Sequence, residues 1–524
     1  MKAPQSVANG QAEKDAGAGE KSEGQPASRN VSETPPEPGK QWAQAMVLTA
    51  LYSVPALLCV NRAFVADADI WWHLRTAEWI VQHGAVPHTD PFSSFGAGKP
   101  WAAYSWLYEL LMLQLFQRLG LAGLVVYMAG MVALITAALH RLNRRLQHDF
   151  TIAVLLTFAG SLCLASVWTP RSWLFTILFF VFEIDVLMQA RRTGKARELL
   201  WLPLVFALWA NLHIQFVVGL LALAVAVGEC VLARFWNGIQ TRIPLARLCI
   251  ISILCLLATL VNPYGWHVYQ VAYDLASQPG VVDKLVELQA LPFRGLQDYG
   301  VLFIALAAAG VLARARRAEV FEIAMFAFAV LVSFRSQRDV WVVVAIASAI
   351  LAQGLKLRHS DRFQITAMAA PLIAIATVLV VFLGFKVLPV SDNFLQAKLQ
   401  GSMPVRAAEF VKQKGLSGPL YNDYGWGGYL IWKLGMPVSM DGRANVYGDA
   451  PIARSAKTWD GGTDWASDPD LLKANLVIGP ASAPLTQLLR MSQRFDLAYE
   501  DKVAVVFVAR KSPAAAAGCP PVGK

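Results

Sequence analysis

Two aspartates one residue apart open a short stretch dense in reactive side chains: Asp67-Ala-Asp-Ile-Trp-Trp-His-Leu-Arg75, continued by His83-Gly-Ala-Val-Pro-His-Thr-Asp-Pro91. A carboxylate so placed can act as general base on a hydroxyl, and a pair of them can hold a divalent cation. The competing role is structural, since Ile70 to Val81 reads as a helix and Asp69 is placed to cap it. His73 follows Asp69 by four residues, so the two share a helix face. A metal site at His73, His83 and His88 competes with plain hydrogen bonding beside the tryptophans, which is the commoner use. Asp90 precedes Pro91 and reads as a turn residue.

These residues follow directly on a long apolar run, which fixes what must position them. The chain has 524 residues, 56% of them hydrophobic and only 16% charged, too apolar for one soluble domain and typical of a polytopic membrane protein. Its net charge of +10 is spread over short basic clusters between apolar runs. That is the pattern of orientation signals, not of a nucleic-acid surface, and nucleic acid is excluded as a partner. Cys59, Cys163, Cys230, Cys249 and Cys255 fall inside apolar runs and Cys519 stands alone, so neither a disulfide framework nor a zinc spacing emerges.

Residues 1–41 read as a disordered cytoplasmic tail, rich in Ala, Gly, Ser, Pro, Glu and Lys. An all-α membrane bundle is expected over 42–389, with about eleven transmembrane helices near 43–61, 121–139, 151–168, 172–190, 199–215, 217–234, 246–261, 299–313, 319–334, 340–355 and 365–388. The first outer loop is 62–103. Basic residues mark alternate loops as cytoplasmic: Arg141/Arg144/Arg145, Arg191/Arg192/Lys195/Arg197, Arg234/Arg242/Arg247, Arg314/Arg316/Arg317 and Lys356/Arg358/Arg362. The same rule requires 104–139 to cross a net single time, so Tyr104 to Leu119 is expected as a juxtamembrane or re-entrant helix with Glu109 at the interface.

Few basic residues remain outside. Arg171, Arg335 and Arg338 sit at outer helix ends, where a guanidinium can grip a lipid phosphate with two parallel hydrogen bonds; headgroup anchoring, or a pair with Asp339, is the plainer role. Arg294 is a weaker candidate. Asn211 and His213 interrupt an apolar stretch at an outer turn and are candidates for substrate hydrogen bonding, against a simple turn. Glu183 and Asp185 lie within a span and should face the bundle interior. From 390 to 511 the composition is that of a small α/β domain on the outer side, with strands expected at 419–421, 437–440, 475–478 and 503–509, helices near 405–414, 427–434 and 484–492, and a flexible tail over 512–524. There Trp426 and Asp441 are candidates to stack on and hydrogen-bond a glycan, while Gly425, Gly427 and Gly428 read mainly as turn glycines.

The acidic first outer loop, the single entering helix, the many further spans and the outer domain together resemble the GT-C superfamily of membrane glycosyltransferases, with the specific motif confined to Asp67 to Pro91. The Trp71-Trp72-His73 continuation departs from the best-studied branches and is closer to uncharacterised bacterial ones. The resemblance implies a multi-pass enzyme of a bacterial-type inner membrane, with its N-terminus cytoplasmic and its C-terminal domain outside. It implies transfer of a hexosyl or pentosyl group from a polyprenyl-phosphate donor to a hydroxyl of a glycan, lipid or protein acceptor. Asp67 or Asp69 would be the catalytic acid position, and a divalent cation such as Mg or Mn at Asp67 and Asp69 is the one cofactor it suggests. A lipid-linked glycan transporter using Glu183 and Asp185, or a sensor or assembly subunit using only the outer domain, are the competing readings.

Overall fold

The computed structural model describes residues 37–60, 67–277, 286–315, 319–356, 362–365, 369–388 and 390–510. Most of the N-terminal tail, residues 511–524 with Cys519, and Arg316, Arg317 and Arg358 lie outside the described residues.

Each of the eleven apolar runs forms a helix, among them α1 (Pro38–Val60). After it come α2 (Ile70–His83) and α3 (Trp106–Leu119), joined through Gly120 to α4 (Leu121–Leu146). The bundle continues with α5 (Phe150–Cys163), α6 (Trp173–Thr193), α7 (Leu202–Leu212), α8 (Phe216–Phe235), α9 (Leu245–Ala258) and α10 (His267–Ala276), then α11 (Leu296–Arg314), α12 (Val320–Arg335), α13 (Val340–Gly354) and α14 (Ala369–Val387). Seven segments among the described residues are long and apolar enough to cross a membrane: α1, α4, α5 with its continuation to Val167, α6, α8, α11 and α14. The runs at α7, α9, α12 and α13 make shorter helices. For α13 the reason is visible: every residue from Val340 to Ala352 is buried. At 1.5 Å per residue its 15 residues rise roughly 22 Å, short of a hydrocarbon core of about 30 Å. A helix enclosed by protein on all sides need not match the lipid.

α3 has 14 residues and packs on α2, α4 and α7. Its Glu109 departs from expectation. It lies on the face that buries Tyr108, Met112 and Leu113, and is enclosed by protein. Helix α2 runs two residues past its predicted end, to His83.

The C-terminal region builds a four-stranded sheet of order β1-β2-β4-β3, from β1 (Leu420–Asn422), β2 (Leu476–Pro480), β3 (Phe495–Glu500) and β4 (Ala504–Ala509). β1 runs parallel to β2, and the other pairings are antiparallel. Alternation sorts the strand residues onto two buried faces. Tyr421, Val477, Val505 and Phe507 join Trp459, Leu485 and Leu489 in a core of the domain's own. Leu420, Leu476, Ile478 and Val506 point the other way, into the core continuous with the bundle. The strand expected at 437–440 does not join this sheet. Val438 instead accepts from the Ser94 N–H at 2.8 Å and donates to the Phe92 carbonyl at 3.1 Å, so this stretch pairs with the first outer loop. β3 was not expected; its burial is one-sided and weak, which leaves little hydrophobic signal.

Helix Gly427–Leu434 carries the domain's main contact with the bundle, lying on α2 with Tyr429 and Trp432 against Trp71 at ring distances of 5.2 and 5.0 Å. Gly428 makes this approach possible, because a Cβ there would stand 2.8 Å from the Ala68 carbonyl and 3.3 Å from Trp72.

Candidate active site

Asp67, Asp69 and Arg171 meet where the first outer loop touches the turn between α5 and α6. Arg171 donates from Nε to Asp67 Oδ2 at 2.8 Å and from Nη1 to Asp69 Oδ2. Asp67 Oδ1 accepts the Asp69 backbone N–H at 2.9 Å, so both oxygens of Asp67 are engaged. Asp69 stands at the start of α2, as the capping alternative required, yet its side chain caps nothing. It is drawn to Arg171, and Gly442 of the outer domain closes on its other side. A Cβ on Gly442 would overlap Asp69 Oδ1 at 1.8 Å, so glycine here leaves the Asp69 carboxylate its place.

Asp69 and Arg171 line two adjoining cavities of about 410 and 440 Å³. The first gathers Asp69, His73, Glu109, Arg171, His213, Arg335, Arg338 and Arg443. At one end its wall is apolar, with Val217, Val218, Leu275 and Val332. The second runs along Ala68, Ser166, Thr169, Arg338 and Tyr424. Trp173 sits between two of the arginines, with the Arg171 and Arg338 guanidinium carbons 5.2 and 5.7 Å from its ring centre. Arg338 lies 3.7 Å from Glu287, a loose pair, while Asp339 accepts from Gln215 instead. The expected Arg338–Asp339 pair is therefore replaced.

Burial sets the charge states here. It pushes the Asp69 carboxyl up to about 6 against the opposing pull of Arg171, with Asp67 and Glu287 adding to the rise. Burial also holds the His73 ring well below the usual imidazole range, helped by Arg171, and brings His213 down to about 3, helped by Arg338. Glu109 is raised well above the usual carboxylate range by burial, with only Arg443 opposing. It meets His73 Nδ1 at 3.1 Å.

The remaining candidates are held elsewhere. Asn211 spends its amide on the Ala207 and Val261 carbonyls, both at 2.7 Å, and accepts from the Trp106 indole at 2.8 Å. The Trp426 indole donates to the Ser402 carbonyl at 3.1 Å. Asp441 is enclosed in a pair with Arg443, which also binds Asp90 at 2.7 Å. Arg294 lines neither cavity. Glu109 and Arg443 were missed as cavity residues, although a lone acid in the apolar run 106–119 is the kind of intramembrane-type charge that signals a site.

The residues present do not fit a divalent cation. Arg171 fills the position between the two aspartates, and among the described residues no three His, Cys, Asp or Glu side chains gather as metal ligands.

No protein-family model and no curated protein matches the chain. Among solved structures, the archaeal oligosaccharyltransferase AglB from Archaeoglobus fulgidus, in complex with an inhibitory peptide and a dolichol-phosphate, is similar with a TM-score of 0.56 at 13% identity, over 85% of this chain and 70% of its own. The Archaeoglobus fulgidus oligosaccharyltransferase in the apo form gives 0.52 at 13%, over 84% and 70%. ArnT from Cupriavidus metallidurans bound to undecaprenyl phosphate gives 0.44 at 16%, over 90% and 98%. The chain therefore shares the fold of the Archaeoglobus fulgidus oligosaccharyltransferase.

Proposed function

We propose that this protein is a membrane glycosyltransferase that moves a sugar from a polyprenyl-phosphate donor to an acceptor hydroxyl on the outer face of a bacterial-type inner membrane. One observation carries the reading: Asp69, Arg171, Arg335 and Arg338, drawn from positions as far apart in sequence as 69 and 338, line one cavity at the outer-domain end of the bundle. Headgroup anchoring gives no reason for Arg335 and Arg338 to line the cavity that the Asp69–Arg171 pair borders.

Asp69 is the base. Asp67 has both oxygens occupied and holds Arg171 in place, whereas Asp69 borders both cavities and needs only moderate pH to ionise. Asp69 takes the acceptor's proton, the acceptor oxygen bonds to the anomeric carbon as the carbon–phosphate-oxygen bond breaks, and inversion results. Arg335 and Arg338 offset the charge that collects on the leaving phosphate in a partly dehydrated site. The apolar wall at Val217, Val218 and Val332 suits a prenyl chain. The basic ends of α4 and α6, where Arg141 and Arg145 bind Asp185 and Arg191 binds Glu229, lie away from the cavity and mark the cytoplasmic side. Those pairs also count against transport, since they lock Asp185, and Glu183 is packed against Gly219.

Radiolabelled polyprenyl-phosphate sugars supplied to the purified protein with envelope lipid acceptors test the reading. Transfer is expected, and Asp69→Asn should lower it by about 100- to 10,000-fold. Wild-type transfer by both Asp67→Asn and Asp69→Asn would overturn the catalytic assignment, and labelled lipid crossing liposomes without transfer would make the protein a transporter.

A further inference from the structure

Two buried histidines in the first cavity are wired alike, through side chains that no step above uses. His213 follows the last residue of α7, and its Nδ1 lies 2.8 Å from Thr176 Oγ1. That same oxygen receives the Trp209 indole N–H at 2.8 Å. A hydroxyl that accepts from an indole has its own proton left to give, and His213 Nδ1 is the partner at hand. We assign the ring the tautomer with its proton on Nε2, the one in which this hydroxyl donates to Nδ1.

His73 reaches the same state by another route. Its Nδ1 meets Glu109 Oε1, while Glu109 Oε2 is buried with no partner. An ionised carboxylate with one buried, unpaired oxygen is costly, and the acid form is not. A protonated Glu109 donates to Nδ1, which again leaves the proton on Nε2. The groups facing His73 are Asp69 on its own helix, Glu109 and Tyr108 on α3, Arg171, His213 and Arg443; those facing His213 are Tyr104 and Arg338. Asp69 is paired with Arg171 and Glu109 is held as the acid, so neither draws a second proton onto the rings, and burial disfavours the charged form of both.

Resting on the glycosyltransferase reading, we propose that His73 and His213 form the sugar subsite of the cavity, two Nε2–H donors directed at hydroxyl oxygens of the transferred sugar. Uncharged donors suit an uncharged, oxygen-rich group, while the phosphate is left to the arginines. Trp72, Trp101 and Tyr104 line the same space and offer aromatic faces to a sugar ring.

Binding, not turnover, tests this. The protein in nanodiscs is titrated with undecaprenyl phosphate and with undecaprenyl phosphate bearing glucose, galactose or mannose. Wild type should bind at least one sugar-bearing lipid more tightly than the bare one. His73→Ala and His213→Ala should each lose about three- to tenfold of affinity for that lipid, with affinity for bare undecaprenyl phosphate unchanged. His73→Gln and His213→Gln, whose amide N–H reaches about as far as Nε2, should recover part of the loss. Equal losses toward bare and sugar-bearing lipid would overturn the subsite, as would no loss in either alanine variant, or no preference of wild type for any of the three sugars. Failure of wild type to bind undecaprenyl phosphate in any form would instead refute the glycosyltransferase reading itself.

Discussion

Two clusters in this protein have the same composition, one arginine between two aspartates, and opposite designs. Arg443 joins Asp90 and Asp441 with side-chain exposures of 1%, 0% and 0%. All three of its nitrogens are engaged, Nε and Nη2 by Asp441 and Nη1 by Asp90, and its plane lies over Phe92 and Trp101. Arg171 joins Asp67 and Asp69 with exposures of 16%, 7% and 17%. Its Nη2 has no hydrogen-bond partner among the described residues, and Asp69 keeps an edge on two cavities. A triad whose bonds are all satisfied is suited to hold parts together, and this one, though Arg443 borders the first cavity, clamps the outer domain to the first outer loop. A triad left one bond short and half open can exchange a partner for a ligand.

That contrast can be broken in order of effect. Gly442→Ala should be the sharpest probe of the open triad, since a methyl group forced against Asp69 displaces the base; transfer should fall about 100-fold while the thermal midpoint moves little. Arg443→Ala should do the reverse in kind. Leaving Asp90 and Asp441 buried and unpaired costs about 3–5 kcal/mol, read as a large fall in the unfolding midpoint and protease sensitivity of the outer domain. If Arg171→Ala destabilises as much as Arg443→Ala, the two clusters are alike and the distinction fails.

Acidity offers a finer test. Because burial raises the Asp69 carboxyl to about 6, the base is ionised above that pH and protonated below it. The rate should therefore be level above about pH 7 and fall roughly tenfold per unit below 6, and a limb near 4 would mean Asp69 is not the base. The smallest effect expected is that of a chelator. With Arg171 between the aspartates, transfer in excess EDTA should stay within about twofold of the untreated rate.

Much of the architecture was legible because lipid imposes it. Eleven apolar runs gave eleven helices, helix Gly427–Leu434 fell where its pattern put it, and a short α3 followed from counting basic loops. Local signals failed where pairing is between distant segments. The stretch at Val438 has strand character but bonds to Ser94, and Glu109 looked interfacial because nothing in its neighbourhood of sequence announces His73.

The first outer loop shows the same division. Its residue types and its position after the first apolar run already made Asp67 and Asp69 the candidate pair and the outer arginines candidate partners, since both follow from hydrophobicity and charge read along the chain. Which acid is free was decided only by the fold. Asp67 is saturated by a backbone N–H and by an arginine 104 residues away, whereas Asp69 is set at a cavity edge by a glycine from the far end of the chain. Hydrogen-bond saturation and burial depend on what arrives from elsewhere, and no local sequence encodes that.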